Sequence, residues 1–250
     1  QGLPITVEAY PYGTGSTVLA AAFFSDPDFE ARNGLGYDSV QRVTDGRRFR
    51  DREELLAAQK EEPSTLVLWH VLDTENNPHH RDLLDMAVLY PGGAIASDAM
   101  PWTLSDGRAY TGDAWPLPDD ATSHPRSAGC FTRFIREWVR ERRAVSLLEG
   151  VRKCALIPAE ILSRSTPAMR AKGRLQPGAD ADIVAFDFDA LIDRATRGRS
   201  ALALERGRNA PAQVTIALVG VVAEQRIAFL VRRECHRGPD HEHRDRHEAQ

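Results

Sequence analysis

Between residues 65 and 97 the chain runs apolar, then amphipathic, then apolar again, and that order restricts its fold more than any other stretch. Thr65-Leu-Val-Leu-Trp-His-Val-Leu72 has the length of a buried strand. After the Asn76-Asn77-Pro78 turn, Leu83, Leu84, Ala87 and Val88 recur at helical spacing within residues 80–89. Gly92-Gly93 closes that helix, and Ala94–Ser97 is a second short apolar strand. Strand, helix, strand is the grammar of an α/β fold. Asp98 stands at the exit of the last strand, just before Met100-Pro101-Trp102. A carboxylate there is either a loop cap or a group that does chemistry.

The flanking segments extend the pattern. Residues 5–10 are rich in β-branched side chains, and Pro11, which cannot donate to a ladder, ends that strand. Residues 25–62 are polar, with Asn33-Gly34 and Asp45-Gly46 turns and a short helix predicted over Arg52–Lys60, so they read as an excursion from the core. Residues 103–123 form a long loop directly after Asp98, and loops of that length usually serve a site. Phe131, Phe134, Ile135, Trp138 and Val139 then follow a helical stripe, with Arg133, Arg136, Glu137 and Arg140 expected on its solvated face. Ser146-Leu-Leu-Glu149 has capping-box spacing and predicts a helix through Cys154, and Pro158 marks another at residues 159–162. Residues 181–186, 214–222 and 227–231 read as strands, and 233–250 as a polar, disordered, histidine-rich end.

Bulk properties remove several classes. The formal net charge of -4 over 250 residues argues against a nucleic-acid binder. No apolar run reaches the length of a membrane span. Three cysteines without a Cys-x-x-Cys pair fit a reducing, cytoplasmic setting. The chain opens on Gln1 and enters a strand at once, so we expect a longer polypeptide or a partner chain to supply what comes before it.

Three stretches together resemble the amidohydrolase superfamily, and within it the N-acyl-D-amino-acid deacylase branch. KGRLQPGADADIVAFD at 172–187 is similar to the closing signature of the superfamily, a turn entering a small β domain where Asp180 and Asp182 can cap main-chain N–H groups. AIASDAMP at 94–101 resembles the segment that ends the eighth barrel strand. EAYPYGTGST at 8–17 and HPRSAGCF at 124–131 resemble the end of strand seven and the segment after the aspartate strand.

The resemblance implies an α/β fold: the last strands of a TIM-like (β/α)8 barrel over residues 1–172, part of a small β-sandwich domain over 173–232, and the tail. It also implies hydrolysis of N-acyl-D-amino acids to a carboxylate and a D-amino acid. One or two divalent metals, zinc in the first instance, would activate water. Asp98 would be both a metal ligand and the proton carrier. Arg126, Tyr10 and Ser16 would hold the substrate carboxylate, for which a guanidinium is well suited. Glu8 and Ala99 depart from the family's aspartate and glycine.

The family's other metal ligands are matched by no motif here, and no His-x-His precedes His241. One carboxylate cannot hold a catalytic zinc, which needs about three protein ligands. Activity is therefore expected only with an N-terminal half or partner chain. Two other readings stay open: a cyclic-amide hydrolase of the hydantoinase or dihydropyrimidinase kind, and a non-catalytic barrel subunit.

Overall fold

The computed structural model describes residues 5–113, 117–195 and 229–231. β1 (Glu8–Ala9) and β5 (Ala94–Ile95) lie side by side in parallel, Glu8 opposite Ala94 and Ala9 opposite Ile95. Main-chain bonds extend the pairing on both sides, from Ala94 N–H to the Val7 carbonyl and from Ala96 N–H to the Ala9 carbonyl. Parallel neighbours need a long connection. Here that connection contains a structural unit of its own.

The unit is a three-stranded antiparallel sheet ordered β2-β4-β3, from β2 (Thr14–Val18), β3 (Val40–Arg42) and β4 (Leu66–His70). It has a separate core of Leu19, Phe24, Phe29, Tyr37, Phe49 and Leu55 with their neighbours. The short helix α1 (Phe29–Asn33) contributes Phe29, and α2 (Arg52–Glu61) contributes Leu55. Asp51 caps α2 by accepting from the Glu54 N–H at 2.9 Å. The helix expected at 52–60 is present.

The apolar run 65–72 is therefore not the strand beside β5, as the strand-helix-strand reading implied; it is the central strand of the excursion, which reaches from residue 14 to residue 70. The reason is physical. Val67 is buried in the core of the excursion and Leu68, on the opposite face, is also buried. A run apolar on both faces cannot be told by its pattern from a strand of a parallel sheet.

Helix α3 (Pro78–Val88) begins where Asn77 accepts from the His79 and His80 N–H groups. It buries Leu84 and Val88 and leads through the Gly92-Gly93 turn into β5. Beyond Asp98, Thr103 bridges both Ala109 and Thr122. Helix α4 (Arg126–Phe134) runs without a break into a π-helical segment, Ile135–Glu141, and is followed by α5 (Leu147–Cys154) and α6 (Leu156–Leu162). Ser146 caps α5 as its spacing indicates, accepting from the Glu149 N–H. Ile95, Phe131, Phe134, Ile135 and Trp138 form the centre of the main core.

The polar face of α4 and its π extension is not a solvated face. Glu137 is buried, the Arg133 guanidinium lies 4.5 Å from the centre of the Tyr12 ring, and Arg140 donates to the carbonyls of Phe188, Asp189 and Leu191. The 188–191 segment covers it. The alternating charges looked like a water-facing stripe because each Arg can pair locally with Glu137 or Glu141.

The strand expected at 181–186 begins at Val184, as β6 (Val184–Phe186), and pairs in parallel with β7 (Phe229–Val231). Asp180 and Asp182 both hold Lys172 Nζ, at 2.7 and 2.8 Å. The strand read at 214–222, most of the 194–208 region and the tail 233–250 lie outside the described residues. No helix among the described residues is long and apolar enough to cross a membrane.

Candidate active site

Asp98 leaves β5 with φ at 46°, in the left-handed region that side chains other than glycine seldom occupy. Aspartate tolerates it better than most residues because its short polar side chain bonds locally. The backbone on either side is held. Ala96 is tied to β1, and beyond Asp98 the Met100 N–H donates to Ser127 Oγ while Ser123 Oγ donates to the Met100 carbonyl. Such strain persists only where the surroundings enforce it, and it concentrates at functional sites. The Asp98 side chain is 60% exposed, so solute can reach it.

Arg126 approaches from the first turn of α4. Its Nε donates to the Asp98 carbonyl at 2.8 Å, and its Nη2 lies 2.7 Å from Asp98 Oδ2. These two nitrogens share one edge of the planar guanidinium. The other edge remains: among the described residues, buried Nη1 has no hydrogen-bond partner and Nη2 has only its ion-pair contact with Asp98. The residue as a whole is 1% exposed. A buried guanidinium with an unpaired nitrogen is costly unless an anion completes it.

Tyr10 covers the guanidinium, with the Arg126 carbon 4.5 Å from the ring centre. Burial pushes the Tyr10 phenol above its ordinary value, opposed by the Arg126 charge and aided by Asp98, so the group stays a neutral donor. Its hydroxyl lies against Gly15, where an added Cβ would sit 3.6 Å away. Ser16 is the next residue, in β2 opposite Leu68. The structure thus brings Asp98, Arg126 and Tyr10 together and leaves Ser16 one position outside their bonded group.

His124 does more than its place in a loop suggested. It is buried, its Nδ1 accepts from the Arg126 N–H at 3.0 Å, and its Nε2 lies 2.9 Å from the Thr14 carbonyl. Because Nδ1 accepts, the proton sits on Nε2 and donates to Thr14. His124 thereby caps α4 at the residue that carries the guanidinium. Its ring meets Tyr12 edge-on, 5.5 Å between centres at 89°. The sequence signal for this was present only as His124 two residues before Arg126.

His70 is a structural residue, with Nδ1 3.1 Å from Thr14 Oγ1 and Nε2 2.9 Å from Gln41 Oε1. Cys130 and Cys154 are buried thiols, both pushed well up by burial. Among the described residues no three His, Cys, Asp or Glu side chains come together as a metal site. Asp98 supplies one carboxylate, half engaged by Arg126, against the three or so ligands that zinc requires. The described residues do not by themselves make a zinc site. A cleft of about 680 Å³ lies between the excursion and α4, walled by Tyr12, His70, Arg48, Arg133 and His124. Asp98 and Arg126 do not line it.

A strained aspartate just beyond a parallel strand is gripped by a buried arginine. Residues 1–228 match the family described as the amidohydrolase family, and the chain belongs to it. It is similar over 80 residues to the N-acyl-D-glutamate deacylase of Alcaligenes xylosoxydans xylosoxydans, at 42% identity, covering 32% of this chain and 15% of that protein. The N-acyl-D-aspartate deacylase of the same organism is 36% identical over 80 residues, with the same shares covered. A solved structure, the N-acyl-D-glutamate deacylase from Bordetella bronchiseptica complexed with zinc and a phosphonate inhibitor, gives a TM-score of 0.49 at 22% identity. That comparison covers 78% of this chain and 35% of the other, so the chain spans about a third of the length of the solved relative.

Proposed function

We propose that this chain carries the proton-transfer and carboxylate-anchoring part of an amidohydrolase that cleaves N-acyl-D-amino acids to a carboxylate and a D-amino acid. The observation that carries the reading is the Arg126–Asp98 pair, in which one guanidinium edge fixes the aspartate and buried Nη1 has no partner among the described residues. Asp98 takes a proton from the attacking water and returns it to the departing amine nitrogen. Arg126 meets the substrate's α-carboxylate with its outer edge, Tyr10 stacks on the guanidinium and offers its hydroxyl, and Ser16 adds a neutral donor from β2. The likeness to two D-amino-acid deacylases supports the D series and an acylated amino acid.

In this reading residues 1–172 close a barrel and residues 173–232 belong to a small β domain. The edge of β1 that has no strand partner among the described residues would be met by a strand from an N-terminal half or partner chain, which parallel strands require to satisfy their main chain. One or two divalent ions, zinc by likeness to the solved relative, would be held by residues other than those described, Asp98 excepted. We place the enzyme in the cytoplasm. The test is hydrolysis of N-acetyl-D- and N-acetyl-L-amino acids by the full-length protein with zinc supplied. Release of the D-amino acid alone supports the reading, and turnover of neither series sinks it.

A further inference from the structure

We infer that Asp193 is a positioning residue for the Arg126 anchor, acting through Tyr12 and His124. The inference rests on the carboxylate-binding role proposed for Arg126 and extends that site to a segment far away in sequence. Asp193 Oδ2 accepts from the Tyr12 hydroxyl at 3.1 Å, and its Oδ1 accepts from the Ala195 N–H at 2.8 Å. Tyr12 is buried, clamped by the Arg133 guanidinium over its ring and set edge-on to His124. His124 in turn accepts from the Arg126 N–H. The path from Asp193 to Asp98 is therefore a continuous series of contacts: carboxylate, phenol, imidazole, α4 N-terminus, guanidinium, carboxylate.

Two features set this path apart from ordinary packing. A Cβ at position 129, at the end of the first turn of α4, would fall 2.2 Å from Asp193 Oδ1, so any larger residue there would have to push the carboxylate from its place. The segment bearing Asp193 is also fastened to the far end of the same helix, where Arg140 donates to three of its carbonyls. The segment from 188 to 193 thus lies along the helix from Arg140 back to Gly129, one turn from Arg126. Burial pushes the Asp193 carboxyl up and the Tyr12 phenol up with it, so the phenol remains a donor at neutral pH. Removing the carboxylate takes away the acceptor of the Tyr12 hydroxyl and loosens the edge contact of that ring with His124.

The test uses the full-length protein and four variants: Asp193→Ala, Asp193→Asn, Tyr12→Phe and Gly129→Ala. For N-acyl-D-amino acids, Asp193→Ala, Tyr12→Phe and Gly129→Ala raise KM about tenfold and leave kcat within about twofold. Asp193→Asn, which keeps an acceptor in place, recovers most of the loss. In NMR of the ring, the His124 resonances shift in Tyr12→Phe, while the Nε2–H tautomer, set by the Arg126 N–H and the Thr14 carbonyl, is kept. Unchanged KM and an unchanged His124 signal in Tyr12→Phe overturn the inference even if Asp193→Ala does not fold. A drop in thermal stability with KM unchanged does so too, because the clamp is then only structural. A wild-type protein that neither binds nor cleaves N-acyl-D-amino acids removes the reading beneath it, a result the variants cannot mimic.

Discussion

Arg126 grips Asp98 at two points, Nε on the main-chain carbonyl and Nη2 on the carboxylate, so one planar group sets both the backbone and the side chain of the residue at the end of β5. Lysine could not do this, since a single ammonium cannot meet two acceptors with a fixed fork. Arg126→Lys and Arg126→Ala should each raise KM for an N-acyl-D-amino acid about tenfold or more, the loss expected of about 1.5–3 kcal/mol for a charge-assisted bond. KM for a cyclic amide, which has no carboxylate, would change little, while kcat falls for both substrate types because Arg126 also positions Asp98. Steady-state kinetics on both substrate types decides between the two.

The left-handed backbone at Asp98 separates stability from activity. Asp98→Gly and Asp98→Ala both remove the ion pair of the buried Arg126, but only glycine releases the φ of 46°, which relieves on the order of 1 kcal/mol of strain. Turnover of Asp98→Gly should fall about 100-fold or more. Asp98→Ala, which keeps the strain and loses the local bonding, should be the less stable of the two by thermal unfolding.

Asp85 makes the fold sensitive to acid. It accepts from the Trp138 Nε1–H at 2.8 Å and pairs with Arg142, whose Nη1 bonds Asp85 Oδ1 at 2.6 Å. The Arg142 hydrogen bond, chiefly, holds the Asp85 carboxyl below its ordinary value of 3.8, with the Trp138 bond adding to it. A carboxylate lowered in the folded state contributes stability that is present above the unfolded value and lost as pH falls through the folded one. Denaturant midpoints of wild type and Asp85→Asn should therefore differ at neutral pH, by about 1–2 kcal/mol, and converge below pH 3.8.

What the sequence disclosed about this fold depended on whether a signal was local. The cap at Ser146, the helix start at Arg52 and the apolar strand ahead of Asp98 are written within a few residues, and the structure follows them. The pairing partner of residues 65–72 is not local, and its two-sided apolar pattern suits either sheet. Arg126 was legible because a family motif surrounds it, whereas Tyr12, His124 and Asp193 form one group only after a separation of up to 181 residues has closed. The covered face of α4 was misread for a related reason, since nothing near Arg140 indicates that residues 188–191 return to it.

Gly173 offers a check on the junction before β6. Its φ is 70°, and a Cβ there would lie 2.6 Å from the Ala155 carbonyl oxygen, which is main chain and cannot swing aside. Gly173→Ala should lower stability by more than the ~1 kcal/mol of the left-handed penalty alone. Urea unfolding of the full-length protein measures it, and N-acyl-D-amino acid KM should not move.

The most direct test of the central claim is turnover by Asp98→Asn in the full-length protein supplied with zinc, because asparagine tolerates the same backbone and keeps an oxygen near Arg126. The expected result is binding of an N-acyl-D-amino acid close to the wild type, with kcat reduced about 100-fold or more and no D-amino acid released beyond that rate. Turnover at the wild-type rate would contradict it, for Asp98 would then carry no proton in the reaction.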